Sequence, residues 1–316
     1  MNILFSCVGR RVELIQCFRN AAIELHTDLI IHGTDADATA PAMYFCDKKH
    51  IVPKISSPHY IQALLNICRE EHICVLIPTI DTDLLLLAER RKEFESIGTK
   101  VLVSEPDKIR ICRDKRLTGI FFEKCGLSAP STTDDIRRYN GGFPAFIKPK
   151  DGSSSINAYK VENQADLEMY SSQVPSYIIQ PFIDGTEYTV DIFCDFDGNP
   201  IYITPRERIQ TRAGEVLKTR ISLDKSIIEE MKAFLHLYKP CGALTVQLIK
   251  DACSSKNVYI EINPRFGGGA PLSMKAGANS AKALLELCYG KTLNYIPNAA
   301  ADESVFCRFD QSIQIK

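Results

Sequence analysis

The sequence predicts an α/β protein whose C-terminal half changes to an α+β arrangement. Over residues 2–103, short apolar runs alternate with amphipathic stretches, which is typical of βα units that build a parallel sheet. From Glu187 onward, longer runs alternate apolar and polar residues with a period of two, which favours half-buried strands joined by hairpins. The 316 residues are 45% hydrophobic and 24% charged, as expected of a globular chain with a large core.

Strand and helix signals alternate in the first part of the chain. The predicted segments are strand Asn2–Ser6, helix Arg11–Leu25, strand Leu29–Gly33, helix Pro58–Arg69, strand Ile73–Ile77, helix Asp83–Arg91 and strand Lys100–Val103. Glu105–Cys125 then predicts a mostly helical connector, interrupted near Asp114 and stopped at Gly126.

The remaining segments predict two further units. The first comprises strand Pro144–Lys148, a Gly/Ser loop over Lys150–Ile156, an extended Tyr159–Glu162, helix Gln164–Ser171 and strand Tyr177–Gln180. The second comprises strands Glu187–Cys194 and Ile201–Arg208, a polar loop over Gln210–Leu217, helix Lys225–Tyr238, strands Ala243–Lys250 and Val258–Asn263, and helix Lys282–Leu287. Asp195–Pro200 has the composition of a hairpin turn.

Charge and cysteine usage narrow the class of protein. Lysine plus arginine (38) nearly balances aspartate plus glutamate (39), which argues against a broad surface for nucleic acid or an anionic membrane. The 12 cysteines are scattered singly, without metal-ligand spacing, and are interpreted as reduced thiols. No apolar run approaches the ~20 residues that span a bilayer. The expected location is therefore the cytoplasm.

The segment Glu261–Arg265 is the strongest candidate for chemistry. Glu261 and Asn263 are two residues apart, so they project from one face of a strand that ends at Pro264. A carboxylate and an amide oxygen side by side suit Mg²⁺, and Arg265 could hold a phosphate or carboxylate at the rim. Gly267–Gly269 follow, where backbone could approach a ligand closely. Taken alone, the segment is equally compatible with a polar edge strand and a glycine turn.

A glutamine on the preceding strand could complete this set. If Ala243–Lys250 pairs with Val258–Asn263, Gln247 lies beside Glu261 and offers a further oxygen. Without that pairing it is an ordinary outward-facing strand residue.

Two more segments suggest contacts to a nucleotide. Lys148 ends an apolar strand and precedes a Gly/Ser loop, which is an arrangement that can hold phosphate. The main chain of Ile178–Ile183 could read an adenine edge, and Glu187 could bind ribose hydroxyls. Each segment by itself is equally compatible with a strand and a surface loop.

Together, in this order and spacing, these four elements resemble the ATP-grasp superfamily, and in particular its carboxylate–amine ligases similar to carbamoyl phosphate synthase. The resemblance covers nearly the whole chain. It implies a parallel N-terminal domain over residues 1–112, a small lid over 113–183 and an antiparallel-sheet domain over 184–316, with ATP held between the last two.

Matched by position, the resemblance assigns roles to individual residues. Contacts to ATP are implied for Lys115, Lys148, Gly152, Ser153, Ser154, Ser155, Gln180, Phe182, Ile183 and Glu187. Ligands of Mg²⁺ or Mn²⁺ are implied for Gln247, Glu261 and Asn263. Arg265 and Lys148 are implied as catalytic residues, with Arg265 steadying an acyl phosphate. Many relatives have glutamate where Gln247 stands, which puts one metal position in doubt.

The implied reaction joins a small carboxylate to an amine. The carboxylate attacks the γ-phosphate of ATP, and the amine then displaces phosphate from the acyl phosphate. Arg206 and Lys218 are the candidates for holding the carboxylate substrate, since each is predicted to lie at a strand end beside the polar loop. A solvated hairpin is an equal interpretation of that loop. Small molecules are the expected partners, and a homodimer is compatible with the family.

Three alternatives compete with this interpretation. A dehydrogenase is suggested by Cys7–Arg11 after a strand and by Asp35, but only Gly9 of the three-glycine fingerprint is present. A full carbamoyl phosphate synthase would need two copies of the unit, although phosphorylation of bicarbonate or carbamate stays open. A non-catalytic nucleotide-binding regulator would bind ATP without releasing ADP.

Overall fold

The structure is a computed structural model that describes residues 1–151 and 156–315. The strands are β1 (Asn2–Ser6), β2 (Ile30–Asp35), β3 (Lys48–Ile51), β4 (Val75–Pro78), β5 (Lys100–Val101), β6 (Ala145–Pro149), β7 (Tyr159–Val161), β8 (Tyr177–Pro181), β9 (Gly185–Cys194), β10 (Pro200–Arg212), β11 (Glu215–Ile221), β12 (Ala243–Asp251), β13 (Asn257–Asn263) and β14 (Val305–Cys307). The helices are α1 (Val12–Glu24), α2 (Tyr60–Glu70), α3 (Leu84–Glu89), α4 (Arg91–Glu95), α5 (Pro106–Arg113), α6 (Lys115–Lys124), α7 (Gln164–Gln173), α8 (Lys225–Tyr238), α9 (Ala270–Lys275) and α10 (Ser280–Cys288).

A parallel sheet forms the N-terminal part, with strand order β3-β2-β1-β4-β5. Both of its faces are covered, because Ile3 and Phe5 pack into one apolar cluster with α1 and α10 while Leu4 packs into another with α2. The prediction of a parallel α/β unit is confirmed. Strand β3 was missed because its sequence, KKHI, is mostly polar and lies at an exposed edge.

A three-stranded antiparallel sheet, ordered β7-β6-β8, follows the helical connector. The interruption predicted near Asp114 is confirmed, because Asp114 separates α5 from α6 and its carboxylate accepts a hydrogen bond from the backbone N–H of Arg116. Lys148 of β6 and Gln180 of β8 are carried by this sheet, and both are buried.

A six-stranded sheet, ordered β13-β12-β9-β10-β11-β14, forms the C-terminal part. Alternation along β9 sends Val190 and Ile192 into the core beneath α8, whereas Thr189 and Asp191 project from the other face. The predicted polar loop over Gln210–Leu217 is wrong. Strands β10 and β11 continue through it as a hairpin, because each half alternates well enough to pair and only Ala213 and Gly214, both at positive φ, are needed for the turn.

The hairpin of β12 and β13 fixes the register that the metal hypothesis needs. Gln247 is directly paired with Glu261, and Thr245 is paired with Asn263. Glu261 and Asn263 therefore share a face with Gln247, as the two-residue spacing predicts. A register shift after Gln247 bends the strand at this point.

One apolar cluster joins the parallel sheet to the antiparallel sheet. Phe266, which follows β13, lies edge-on to Phe18 of α1 at 6.0 Å and stacks on Phe193 of β9 at 6.1 Å, both between ring centroids. Aromatic pairs of this kind add to the area that they bury. The end of β13 is thereby anchored between the two parts of the chain.

The fold class predicted from the sequence is confirmed: a parallel α/β part precedes two antiparallel sheets. All 12 cysteines are free, and most are buried or partly buried. Within residues 1–151 and 156–315, no helix has the length and apolarity needed to cross a membrane.

A buried carboxylate supports the loop between β4 and α3. Asp83 accepts hydrogen bonds from the Ser6 hydroxyl at 2.7 Å and the Tyr60 hydroxyl at 2.9 Å, both through Oδ2. Its Oδ1 is buried and has no hydrogen-bond partner among the described residues. Burial raises the pKa of Asp83 from 3.8 to about 6, although the two hydroxyl donors oppose that shift.

Asp83→Asn should change how stability depends on pH. The folded-state pKa of Asp83 lies above the unfolded value. The contribution of its carboxyl group to the free energy of unfolding is therefore fully present below pH 4 and is lost as pH rises to about 6. The free energy of unfolding of the unmodified protein, relative to the variant, should fall by about 3 kcal/mol between pH 4 and pH 7. Urea denaturation across this range measures it. Asp197→Asn, in an exposed turn, is the control, and parallel curves for the protein and the Asp83 variant would contradict the assignment.

Candidate active site

A cavity of about 600 Å³ is lined by residues of both antiparallel sheets and of the segments that follow β1 and β4. Most of the residues singled out in the sequence line it, namely Lys115, Lys148, Gln180, Phe182, Ile183, Glu187, Arg206, Gln247, Glu261, Asn263 and Arg265. The predicted contacts Gly152, Ser153, Ser154 and Ser155 lie outside the described residues. Lys218 is not among the lining residues.

Two buried lysines line the cavity together with Glu261. Lys148 is 8% exposed and Lys115 is 7% exposed. Burial lowers the pKa of Lys148 to about 8, Glu261 opposes that shift and neighbouring Lys115 adds to it. Two ammonium groups close to one another on the wall of a cavity favour a polyanionic ligand, because their charges add.

The oxygen set of the hairpin fits a hard cation. The Glu261 carboxylate makes no hydrogen bond or ion pair with another described residue, and Gln247 lies beside it on the paired strand. Asn263 is 6% exposed, and its Oδ1 accepts one hydrogen bond, from Arg265 at 3.2 Å. An unpaired carboxylate with two amide oxygens is the donor set that Mg²⁺ or Mn²⁺ takes.

The segment after β8 provides an apolar wall. Phe182 and Ile183 line the cavity, and the Phe182 ring carries the Lys160 ammonium 4.6 Å from its centroid. The Gln180 side chain is held in place by a hydrogen bond, because its amide donates to the Thr132 hydroxyl at 2.8 Å. Glu187, predicted to bind ribose, is ion-paired with Arg208 at 3.1 Å.

Arg265 is not free at the rim, as the sequence had suggested. Its guanidinium forms an ion pair with Asp81 at 2.7 Å, and the side chains are only 12% and 15% exposed. Asp81 follows β4 of the parallel sheet, so this pair links the N-terminal part of the chain to the end of β13. Arg265 therefore offers a phosphoryl or acyl group only those donors that Asp81 and Asn263 leave available.

The two candidates for substrate binding occupy different environments. Arg206 lies in the middle of β10, not at a strand end, and its guanidinium is fully buried against Asp191 at 2.6 Å. The Ser273 hydroxyl donates to the same carboxylate oxygen at 2.6 Å. Lys218 lies within β11 and is paired with Gln210 and Cys307. Strand-end placement was wrong for both residues because the hairpin is longer than predicted.

Gly267–Gly269 lie against polar side chains of the protein itself. A Cβ at Gly267 would lie 2.7 Å from the Thr245 hydroxyl, and one at Gly268 would lie 2.9 Å from Arg11 Nη1, with Glu215 closer still. A Cβ at Gly269 would lie 2.6 Å from Arg206 Nη2. The glycines are therefore required so that backbone can pack directly on charged groups of the cavity wall.

Several cavity residues were missed by the sequence reasoning. Arg11, Asp81, Arg208 and Glu215 all line the cavity. Asp81 follows the predicted strand Ile73–Ile77, and the carboxyl ends of parallel strands are where ligands bind, so that position carried a usable signal. Arg208 and Glu215 lie in the polar stretch that includes Arg206 and Lys218, but neither was singled out, since only the pairing of β10 with β9 and β11 brings them to the cavity.

Two family models match the chain. The model for the PylC-like, N-terminal domain matches residues 3–102, and the model for the ATP-grasp domain matches residues 112–269, which is half of the 316 residues. The carbamoyl phosphate synthase large chain of Thermotoga petrophila is 24% identical over 297 residues, covering 83% of this chain and 27% of that protein. The chain thus spans about a quarter of the length of the curated relatives that it matches.

Solved structures share the fold at lower identity. The biotin carboxylase domain of 2-oxoglutarate carboxylase from Hydrogenobacter thermophilus, a dimer in complex with MgADP, ADP and bicarbonate, has a TM-score of 0.73 at 15% identity, covering 96% of this chain and 73% of that chain. L-amino acid ligase from Bacillus licheniformis has a TM-score of 0.72 at 16% identity, covering 92% and 78%. At these identities the likeness establishes the fold alone.

Gly269→Ala should destabilise the protein by about 1–3 kcal/mol, because its methyl group would overlap a guanidinium that Asp191 holds in place. The matched control is Gly119→Ala within α6, where the new methyl group would meet only Ala129 at 4.0 Å. That change should be neutral or stabilising by about 0.5–1 kcal/mol. Urea denaturation measures both, and equal midpoints for the two variants would show that the close approach costs nothing.

Proposed function

Because this chain belongs to the ATP-grasp family, we propose that it is an ADP-forming, Mg²⁺-dependent ligase that activates a small carboxylate as an acyl phosphate for attack by an amine. One observation carries the proposal. The buried lysines Lys115 and Lys148 and the unpaired carboxylate of Glu261 line a single cavity, with the amide oxygens of Gln247 and Asn263. This is a combined site for a polyphosphate and its cation.

The side chains support phosphoryl transfer by position and charge. The ammonium groups of Lys115 and Lys148 would neutralise charge on the phosphates as the substrate carboxylate attacks the γ-phosphorus and ADP leaves. Gln247, Glu261 and Asn263 would hold Mg²⁺, which would supply positive charge to offset the charge of the phosphates. The amine then attacks the acyl carbon, phosphate departs and the amine proton passes to solvent or to phosphate.

The apolar wall favours the adenine end of the nucleotide. Phe182, Ile183 and Phe146 line the cavity near the buried Gln180, and apolar walls with a few polar groups are typical of nucleotide sites. Glu187 would bind the ribose only if it leaves or shares its ion pair with Arg208. The apolar side chains of this wall would also limit the access of water that could hydrolyse an acyl phosphate.

Two other functions make different predictions. A nucleotide-binding regulator would bind Mg-ATP and release no ADP with any carboxylate. An enzyme that phosphorylates bicarbonate or carbamate would release ADP with bicarbonate alone, and the relationship to carbamoyl phosphate synthase motivates this second candidate. Measuring ADP release with bicarbonate, small carboxylates and amino acids, each with and without an amine, separates the three.

Glu261→Ala should abolish Mg²⁺-dependent ADP release, lowering the rate by about 100-fold or more, because it removes the carboxylate of the metal set. Coupled measurement of ADP and circular dichroism would report activity and fold. Glu229→Ala, an exposed position on α8, is the control and should keep full activity. Undiminished ADP release by the Glu261 variant would refute the assignment of this carboxylate.

Lys148→Met should weaken binding of Mg-ATP by roughly 10- to 100-fold, because losing one charge-assisted hydrogen bond lowers affinity by about that factor. Isothermal titration calorimetry with Mg-ATP measures it, and exposed Lys232→Met on α8 is the matched control. If the unmodified protein showed neither heat nor protection against thermal unfolding with Mg-ATP, the proposed function would be wrong.

A further inference from the structure

Arg11 is a cavity residue to which the proposed reaction assigns no task. It ends the segment Cys7–Arg11 that follows β1, and it immediately precedes α1. Its side chain is partly buried and lines the cavity. Its Nη2 donates to the backbone oxygen of Thr79 at 3.3 Å, and no carboxylate oxygen of the described residues lies within 4.0 Å of its nitrogens.

The other three arginines that line the cavity are each neutralised. Arg206 is paired with Asp191 at 2.6 Å, and Arg208 with Glu187 at 3.1 Å. The third, Arg265, is paired with Asp81 at 2.7 Å. Arg11 has no such carboxylate partner among the described residues. A partly buried guanidinium without a carboxylate favours an external anion.

The groups around Arg11 leave one positive charge over. Burial lowers the pKa of Arg11 to about 10, and the proximity of Arg265 lowers it further, whereas Glu215 and Asp81 oppose the shift. Asp81 is already neutralised by Arg265, and Glu215 is paired with Arg308 at 3.3 Å. One monoanion beside Arg11 therefore balances the local charge, whereas a dianion would leave one negative charge in excess.

Arg11 and Gly268 both line the cavity beside the predicted catalytic segment, and the Glu215 carboxylate lies against the same glycine. Arg11 Nη1 is 2.9 Å from the point where a Cβ would stand on Gly268, three residues after Arg265. Arginine presents two parallel N–H groups, which match the two oxygens of a carboxylate.

We propose that Arg11 is the anion-binding residue of the subsite for a substrate other than ATP. Its guanidinium would hold the carboxylate of a small monoanionic substrate such as an α-amino acid. The identity of this anion as a reactant rests on the proposed function, whereas its binding to Arg11 does not. The subsite lies between the parallel part of the chain, which supplies Arg11, and the glycine segment of the C-terminal part.

Thermal unfolding of the full chain tests the subsite without requiring turnover. The probes are acetate, glycine, L-alanine and L-glutamate, each compared at equal ionic strength with its amide, together with inorganic phosphate. At least one carboxylate should raise the Tm of the unmodified protein by about 2–4 °C at about ten times its Kd, and its amide should not. Arg11→Gln should lose this rise, and Arg11→Lys, which keeps the charge but not the fork, should keep part of it.

Arg10→Gln is the matched control, because Arg10 is the adjacent arginine, is 85% exposed and lies outside the cavity lining. It should respond to carboxylates as the unmodified protein does. A rise in Tm with Mg-ATP in the Arg11→Gln protein would show that its fold is intact. If that variant does not fold, the reduced response of Arg11→Lys carries the test.

Three results would overturn the proposal: an equal carboxylate response in the Arg11 variants, no carboxylate acting better than its amide, or a response to phosphate alone. Each is distinct from failure of the proposed function, which is absence of Mg-ATP binding or of ADP release. Where turnover occurs, Arg11→Gln should raise KM for the carboxylate by roughly 10-fold or more while KM for ATP stays within about twofold.

Discussion

The ion pair between Arg265 and Asp81 is the contact on which the rest of the cavity depends. Its partners are separated by 184 residues and lie at the ends of two strands in different sheets. Both are largely withdrawn from water, so removal of either would leave an uncompensated charge, which commonly costs about 3–5 kcal/mol. Phe266, the next residue along the chain, packs between Phe18 and Phe193. Polar and apolar contacts thus fix one short segment between the two parts of the chain.

That fixed segment explains how so many charges can share one cavity wall. Arg206 satisfies Asp191, and Gly269 leaves the space that its guanidinium occupies. Gly268 likewise leaves space for the side chains of Arg11 and Glu215 to approach the backbone. Pairing of this kind makes a charged interior tolerable, because each guanidinium exchanges water for a carboxylate in a defined geometry. Donors that are held in place in this way are what electrostatic stabilisation of a transition state requires.

The Glu261 carboxylate and the Arg11 guanidinium form no ion pair with another described residue, and they indicate where ligands are expected. The Glu261 carboxylate lines the cavity together with the buried Lys148. The Arg11 guanidinium has no carboxylate oxygen within 4.0 Å among the described residues. A cation with polyphosphate suits the first location, and a carboxylate suits the second. An ATP-grasp ligase needs both kinds of ligand close to one another, so the distribution of unpaired charge agrees with the proposed chemistry.

The sequence alone determined most of the elements, including the hairpin that carries Gln247, Glu261 and Asn263, because periodicity and turn composition act over neighbouring residues. It also indicated Lys148 and Gln180, since each lies on a short strand with a strong apolar pattern. Only the tertiary structure decided the partners of Arg265 and Arg206 and brought Arg11 to the cavity. Those contacts join strands and loops far apart in the chain, and no local pattern encodes which distant carboxylate a given arginine will meet. The physical reason is that local sequence fixes the direction of a side chain, whereas its charge partner is fixed by how the sheets dock.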